Sequence, residues 1–210
     1  MPSHTETQAA IRQLLDTQTP KDHAEVPLKN WRGVCLHHSW KPEKPRWGVN
    51  YGQVFDHFHR NTNGWNNGCG YHFVVSWNPD NPSEIRVWST YRWKKQLSGA
   101  HALNKKGAVG IRYPNRDLVG ICFVGDFDQQ SLPPGAASNA DQHLIEPLLH
   151  LLGLEPSPAT VYRHSDFDYK SCPGTSFDMA RFIKKDGMPP KPTSVMHRNR
   201  VHFLEDIYDG

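Results

Sequence analysis

Long hydrophobic runs are missing from this chain. No apolar stretch in its 210 residues approaches the ~20 needed to cross a bilayer, so membrane insertion is not expected. The opening segment "MPSHTETQAAIRQLLDTQTPK" lacks a basic start followed by a continuous apolar block. It does not read as a secretory signal, and cytoplasmic synthesis is the expectation. Cysteine is scarce: Cys35, Cys69, Cys122 and Cys172 are too few and too widely spaced to form the disulfide framework of a small secreted domain. Most are expected to be free thiols. A strong charge of one sign is also lacking, because the formal net charge is +3 and the basic residues fall in short clusters such as "YRWKK". That balance accommodates an anionic polymer without requiring one, and no nucleic acid is expected as partner. No internal repeat is present.

What is there describes a loop-rich globular protein, with 37% hydrophobic residues, 17 prolines and 16 glycines. Thr5, Gln8 and the spacing of Ile11, Leu14 and Leu15 predict a helix over 5–16. "GVCLHH" (33–38) reads as a buried strand ending in two histidines. Tyr51, Val54, Phe55 and Phe58 recur at helical spacing behind a possible Asn50 cap, which predicts an amphipathic helix over 50–60. "GYHFVVSW" (70–77) and "EIRVW" (84–88) flank the turn formers "NPDNPS" and predict a hairpin. "LVGICFVG" (118–125) is a further buried strand. A helix over 138–152 carries Leu144, Leu148 and Leu151 and ends at Gly153, with Pro147 kinking it or marking its true start. "TVYRH" (160–164) is a strand, and a last helix is expected over 175–185. This order predicts one α/β domain with a mixed central sheet flanked by helices, the ligand site lying where strand ends and loops converge.

Two of these strands end in histidine, at His37-His38 and at His164, and a loop then returns Cys172. Imidazole and thiolate are the ligands zinc prefers. Two histidines and one cysteine leave a fourth tetrahedral position open, which points to catalysis rather than to a closed structural site. Asp166 and Asp168 are competing oxygen ligands in the same loop. Most of the 13 histidines are expected at the solvated surface.

In this order, "VCLHHSW", "GYHFVV", "GAHA", "GICFVGDF" and "HSDFDYKSCPG" resemble the zinc-dependent N-acetylmuramoyl-L-alanine amidases of the second type. That group includes amidase-type phage lysozymes and peptidoglycan-recognition proteins. The resemblance covers about residues 28–186, leaving an N-terminal helix and linker (1–27) and a Pro-containing linker and tail (187–210). It implies one Zn2+ held by His37, His164 and Cys172; strand alternation turns His38, the runner-up, to the opposite face. It further implies Lys170 and Tyr71 as catalytic residues, with His101, Asn115 and His59 ("FHRNTNGW") on the substrate side. Tyr71, Lys170 and His101 are the candidate proton shuttles. Bland alternatives accompany three of these features. Tyr71 also suits a packed core, His59 a cation at a helix C-terminus, and Trp77, Trp88 and Trp93 hairpin packing rather than a sugar-stacking platform. His72, facing away from Tyr71, is expected to be structural.

Three departures qualify the likeness. "LNKKGAVGIRYP" (103–114) is longer than the usual connection, an extra residue lies between Trp65 and Tyr71, and Val124 stands where recycling amidases carry glutamate. Val124 favours a phage-lysozyme style of site. The implied activity is hydrolysis of the amide between the lactyl group of N-acetylmuramic acid and L-alanine in bacterial peptidoglycan. The expected setting is a monomeric endolysin that reaches the cell wall after lysis-type release. The alternative is a non-catalytic peptidoglycan-binding or partner-binding regulatory module on the same fold.

Overall fold

The computed structural model describes residues 20–107, 110–183 and 201–205. The helix expected over 5–16 lies outside them. Their strands form one mixed sheet: β1 (Val34–His38), β2 (Phe73–Trp77), β3 (Ile85–Ser89), β4 (Val119–Phe123), β5 (Val161–Arg163) and β6 (Val201–Glu205). The spatial order is β5-β1-β4-β2-β3-β6. β1 pairs in parallel with β4 and β5, and β2 in parallel with β4, while β2 and β3 form the expected antiparallel hairpin. β6 extends the sheet by lying parallel to β3.

Alternation along the strands sorts side chains between two faces. Val34, Leu36, Phe73, Val75, Val119, Ile121 and Phe123 belong to the main apolar core, together with Leu144, Ile145, Leu148 and Leu149. The intervening positions, Cys35, His37, Val74 and Cys122, are also buried but lie outside that core. They face the second layer, where Tyr51 and Trp88 pack with Val74 and Val124. One face therefore supplies apolar burial, and the other carries the sheet's reactive side chains.

Helix α1 (Tyr51–Asn63) begins where Asn50 Oδ1 accepts the Gln53 N–H at 3.0 Å. It ends at Gly64 in the left-handed region (φ 67°), whose N–H returns to the Arg60 carbonyl. Its buried face differs from the expected stripe. Tyr51 and Asp56 are buried, whereas Val54 and Phe58 are 46% and 51% exposed. Asp56 is the anchor, accepting the Cys69 N–H (2.9 Å) and Arg60 Nε (2.6 Å). A buried carboxylate needs such partners, and they tie α1 to the loop that leads to Tyr71.

Two short helical turns, α2 (Tyr91–Lys94) and α3 (Pro114–Asp117), precede a longer helical stretch. That stretch starts earlier than 138: α4 (Pro134–Ala140) runs through a π-turn (Asp141–Ile145) into α5 (Glu146–Leu151). Pro147 has no N–H for an intrahelical bond, and the widened turn just before it accommodates that loss. Of the helix expected over 175–185, the described residues, up to 183, form only a 3-10 turn, Met179–Arg181, capped by Asp178. Phe177 and Phe182 stack on each other at 5.6 Å and pack on Phe123. Packing of these rings, rather than helix periodicity, fixes that segment. Trp77, Trp88 and Trp93 are all buried, so they pack around the hairpin and form no sugar platform.

Candidate metal centre

His37 projects from the C-terminal end of β1, which is paired on both sides, by β4 and β5. Its ring lies 4.7 Å from that of His164, the first residue beyond β5. The 164–174 loop then folds back: the Ser165 N–H donates to the Cys172 carbonyl at 2.8 Å. This places Cys172 Sγ 3.7 Å from His37 Nδ1, and the His38 N–H points at the same sulfur from 3.4 Å. The donor atoms of His37, His164 and Cys172 all lie within 4.8 Å of one another. His38 does not join them. Its Nδ1 accepts the Phe127 N–H and its ring lies against Phe127, so it borders the groove over the cluster without joining the three donors. Neither aspartate of the loop joins the three donors: Asp166 accepts the Arg163 N–H, and Asp168 pairs with Lys105 Nζ at 2.8 Å while lying 3.8 Å from His164 Nε2.

Burial sets the charge state. It pushes the Cys172 thiol up to about 12, an effect eased by the His38 N–H and by Lys170. It lowers His164 to about 4 and takes His37 well below the usual histidine range, with the neighbouring histidines His101 and His164 adding to the fall. Two neutral imidazoles beside a buried thiol are the donor set that zinc takes, the thiol losing its proton on binding. The spacing fits as well, since nitrogen and sulfur ligands on a tetrahedral zinc stand about 3.6 Å apart. Two other groupings of potential ligands are committed elsewhere. Cys35 and His101 approach His37 from inside the protein, with Cys35 fully buried and His101 bonded to His37 itself. Beside His38, Asp126 accepts the Asp128 N–H, and Asp128 accepts from Ser171 Oγ and the Thr175 N–H.

A groove of about 430 Å³ opens over the cluster. Tyr71 and Lys170 line it with His164 and Cys172, and so do Trp40, Asp128 and Ser171, which sequence reasoning missed. Trp40 is 61% exposed at the rim and holds a left-handed backbone (φ 63°), a conformation that costs a non-glycine residue and concentrates at functional sites. Its only sequence signal is its place two residues after His38. The Tyr71 ring is 5.2 Å from that of His37, and burial beside Cys122 and Cys172 pushes its phenol well above the usual range.

The expected substrate-side residues sit elsewhere. His59 packs between Trp65 (4.7 Å) and Tyr71 (5.9 Å) and accepts the Gly70 N–H. Burial lowers it to about 4, so it is neutral at physiological pH and is not a helix-terminal cation. His101 is 7% exposed and lies behind His37, bonded to it at 3.0 Å, instead of lining the groove. Asn115 closes the loop below, accepting the N–H groups of His101 (2.7 Å) and Ala102 (2.8 Å). It borders a separate cleft that also includes Leu103, Arg112 and Tyr113. His72 is structural as expected, with Nδ1 accepting the Gly120 N–H and Nε2 bonded to the Leu97 carbonyl.

A profile for N-acetylmuramoyl-L-alanine amidase matches residues 27–175. The chain belongs to the N-acetylmuramoyl-L-alanine amidase family. Membership places it among proteins that bind or hydrolyse peptidoglycan. No curated protein sequence matches this amidase-family chain significantly, but solved structures share its fold. Drosophila peptidoglycan recognition protein SD is 16% identical, with a TM-score of 0.53 over 79% of this chain and 88% of that one. Peptidoglycan recognition protein-LE, solved with tracheal cytotoxin, is 23% identical, with a TM-score of 0.50 over 78% of this chain and 85% of that one. The amidase LysC from Clostridium intestinale URNW is 20% identical, with a TM-score of 0.48 over 77% of this chain and 93% of that one. The amidase match ends before the Phe177–Phe182 packing and before β6, so both are additions to the matched segment.

Proposed function

We propose that this chain is a zinc-dependent amidase that hydrolyses the bond between the lactyl group of N-acetylmuramic acid and L-alanine of the stem peptide. The observation that carries the reading is the convergence of His37, His164 and Cys172, the last two lining an open groove, in a chain of the amidase family. His37, His164 and Cys172 would hold the ion, one per chain. Bound zinc supplies a Lewis acid for the scissile carbonyl and lowers the pKa of water to about 7.

The chain's own residues do the rest. The Lys170 ammonium borders the groove, where it meets negative charge developing on the carbonyl oxygen; losing one such donor typically costs about 10²–10³ in rate. Tyr71, with its phenol held protonated by burial and hydrogen-bonded to Cys122, is the other donor that borders the groove. His101 is bonded on both ring nitrogens behind His37, which removes it as a proton shuttle to the leaving amine. Tyr71 and Lys170 remain for that transfer. Peptidoglycan is the partner on this reading, which is supported by a solved structure of the same fold, peptidoglycan recognition protein-LE, in complex with tracheal cytotoxin, a monomeric diaminopimelic acid-type peptidoglycan. The biological setting is an endolysin that acts on the wall after release by host membrane permeabilisation.

Purified protein is incubated with peptidoglycan as isolated, after chelation, and after chelation and return of zinc, and the products are analysed by mass spectrometry. Stem peptides with free N-terminal alanine, lost on chelation and restored by zinc, are expected. Intact lactyl amides under all three conditions refute catalysis and leave a peptidoglycan-binding module.

A further inference from the structure

His101 is a buried, fully bonded side chain for which the proposed chemistry has no step. Its Nε2 lies 3.2 Å from the Leu118 carbonyl oxygen, which can only accept, so Nε2 carries the ring hydrogen. Nδ1 of the neutral ring is then an acceptor. It lies 3.0 Å from His37 Nε2, and that nitrogen must therefore carry the hydrogen of its own ring. The one lone pair left on His37 is at Nδ1, the atom that faces Cys172 Sγ at 3.7 Å. Hydrogens thus run in a single direction from His37 through His101 to the Leu118 carbonyl just before β4.

The surroundings hold the His101 ring in that pose. Asn115 Oδ1 clamps the backbone N–H groups of His101 and Ala102. Glycines make room on either side: a Cβ at Gly99 would lie 2.2 Å from His101 Cδ2, and one at Gly120 would lie 2.5 Å from it. The "GAHA" segment, Asn115 and Gly120 near the start of β4 all serve one imidazole that does not line the groove.

We propose that His101 is a positioning residue that fixes the tautomer and orientation of His37 so that Nδ1 is offered to the metal. The inference rests on the zinc reading above. Partners of ligating histidines raise metal affinity by orienting the ring, and losing one typically costs about 10–100-fold. Replacing His101 by an apolar residue leaves the His37 Nε2–H buried without an acceptor. The ring is then free to turn or to change tautomer.

The test compares the full-length wild type with His101→Phe and His101→Gln. Glutamine is the discriminating variant, since its amide oxygen can accept from His37 and its amide nitrogen can donate to Leu118. Long-range nitrogen–proton NMR of the zinc-free wild type reads the His37 tautomer directly and needs no variant to fold. Zinc Kd from chelator competition and the visible spectrum of the cobalt-substituted protein report the site itself. Hydrogen on His37 Nε2 is expected in the wild type and in His101→Gln. About 10–100-fold weaker zinc binding with an altered cobalt spectrum is expected in His101→Phe, and binding within a few-fold of wild type in His101→Gln. A wild-type His37 with its hydrogen on Nδ1 overturns the inference whatever the metal does. So does a His101→Phe protein with unchanged tautomer, Kd and spectrum. Failure of the zinc reading looks different, because the wild type itself then binds no zinc while its His37 tautomer still reports on the lock.

Discussion

Zinc binding at pH 6 is expected to release about one proton per chain, the thiol proton of Cys172. With its pKa pushed up to about 12, that thiol is protonated throughout the accessible range. Ionising it at pH 7 without metal would cost roughly 7 kcal/mol at 1.36 kcal/mol per unit. The histidine ligands contribute almost nothing to the proton count, because His164 is lowered to about 4 and His37 lies well below the ordinary range. Had both kept the usual ~6.5, each would hold about 0.75 proton at pH 6, and release would total about 2.5. Binding should therefore tighten about tenfold between pH 5.5 and 6.5, a window in which metal-bound water of pKa about 7 adds at most about a quarter of a proton. Calorimetry in buffers of different ionisation enthalpy gives the count directly, and chelator competition gives the slope. Cys172→Ser should release about zero protons and bind zinc much more weakly. A wild-type release near 2.5, or near zero, would refute the assignment of buried neutral imidazoles beside a buried thiol.

Two further outcomes test other parts of the argument. Lys170→Ala should keep zinc, read by metal analysis, while kcat/KM on peptidoglycan fragments falls by about 10²–10³; unchanged turnover would remove Lys170 from the proposed mechanism. Asp56→Ala should lower the denaturant midpoint by the equivalent of about 1–3 kcal/mol, because it strips the buried Cys69 N–H of its acceptor. Little change in the midpoint would show that Asp56 is not the anchor of α1.

Strands were the most legible part of the sequence. β1 through β5 lie where short apolar, β-branched runs end in turn formers, and β1, β2 and β4, buried along their whole length, leave a continuous apolar signal. The helices were less legible for local reasons. The apolar stripe read into α1 pointed to Val54 and Phe58, but a buried carboxylate, Asp56, orients that helix instead, and charge is invisible to an apolar count. Pro147 reads in the sequence as a kink or a start, and a π-turn resolves the conflict. At the site, residues carried by the "HSDFDYKSCPG" segment and by the end of β1 converge as their order suggested. The family resemblance puts His101 and Asn115 on the groove, yet sequence order does not say on which side of His37 a loop passes. Trp40, Asp128 and Ser171 enter the groove through loop geometry, which has no periodic signature.

β6 has a consequence for how the molecule keeps to itself. Pairing of Val201–Glu205 with Ile85–Ser89 occupies hydrogen-bonding groups that would otherwise form a five-residue open rim on the hairpin. At the opposite end, β5 offers only three residues, Val161–Arg163. Long unpaired rims invite strands from other molecules and seed aggregation, and short or covered ones discourage it. Cutting the chain back to the segment matched by the amidase profile would keep every proposed zinc ligand and uncover the longer rim, so solubility could be lost while the chemistry stayed in place.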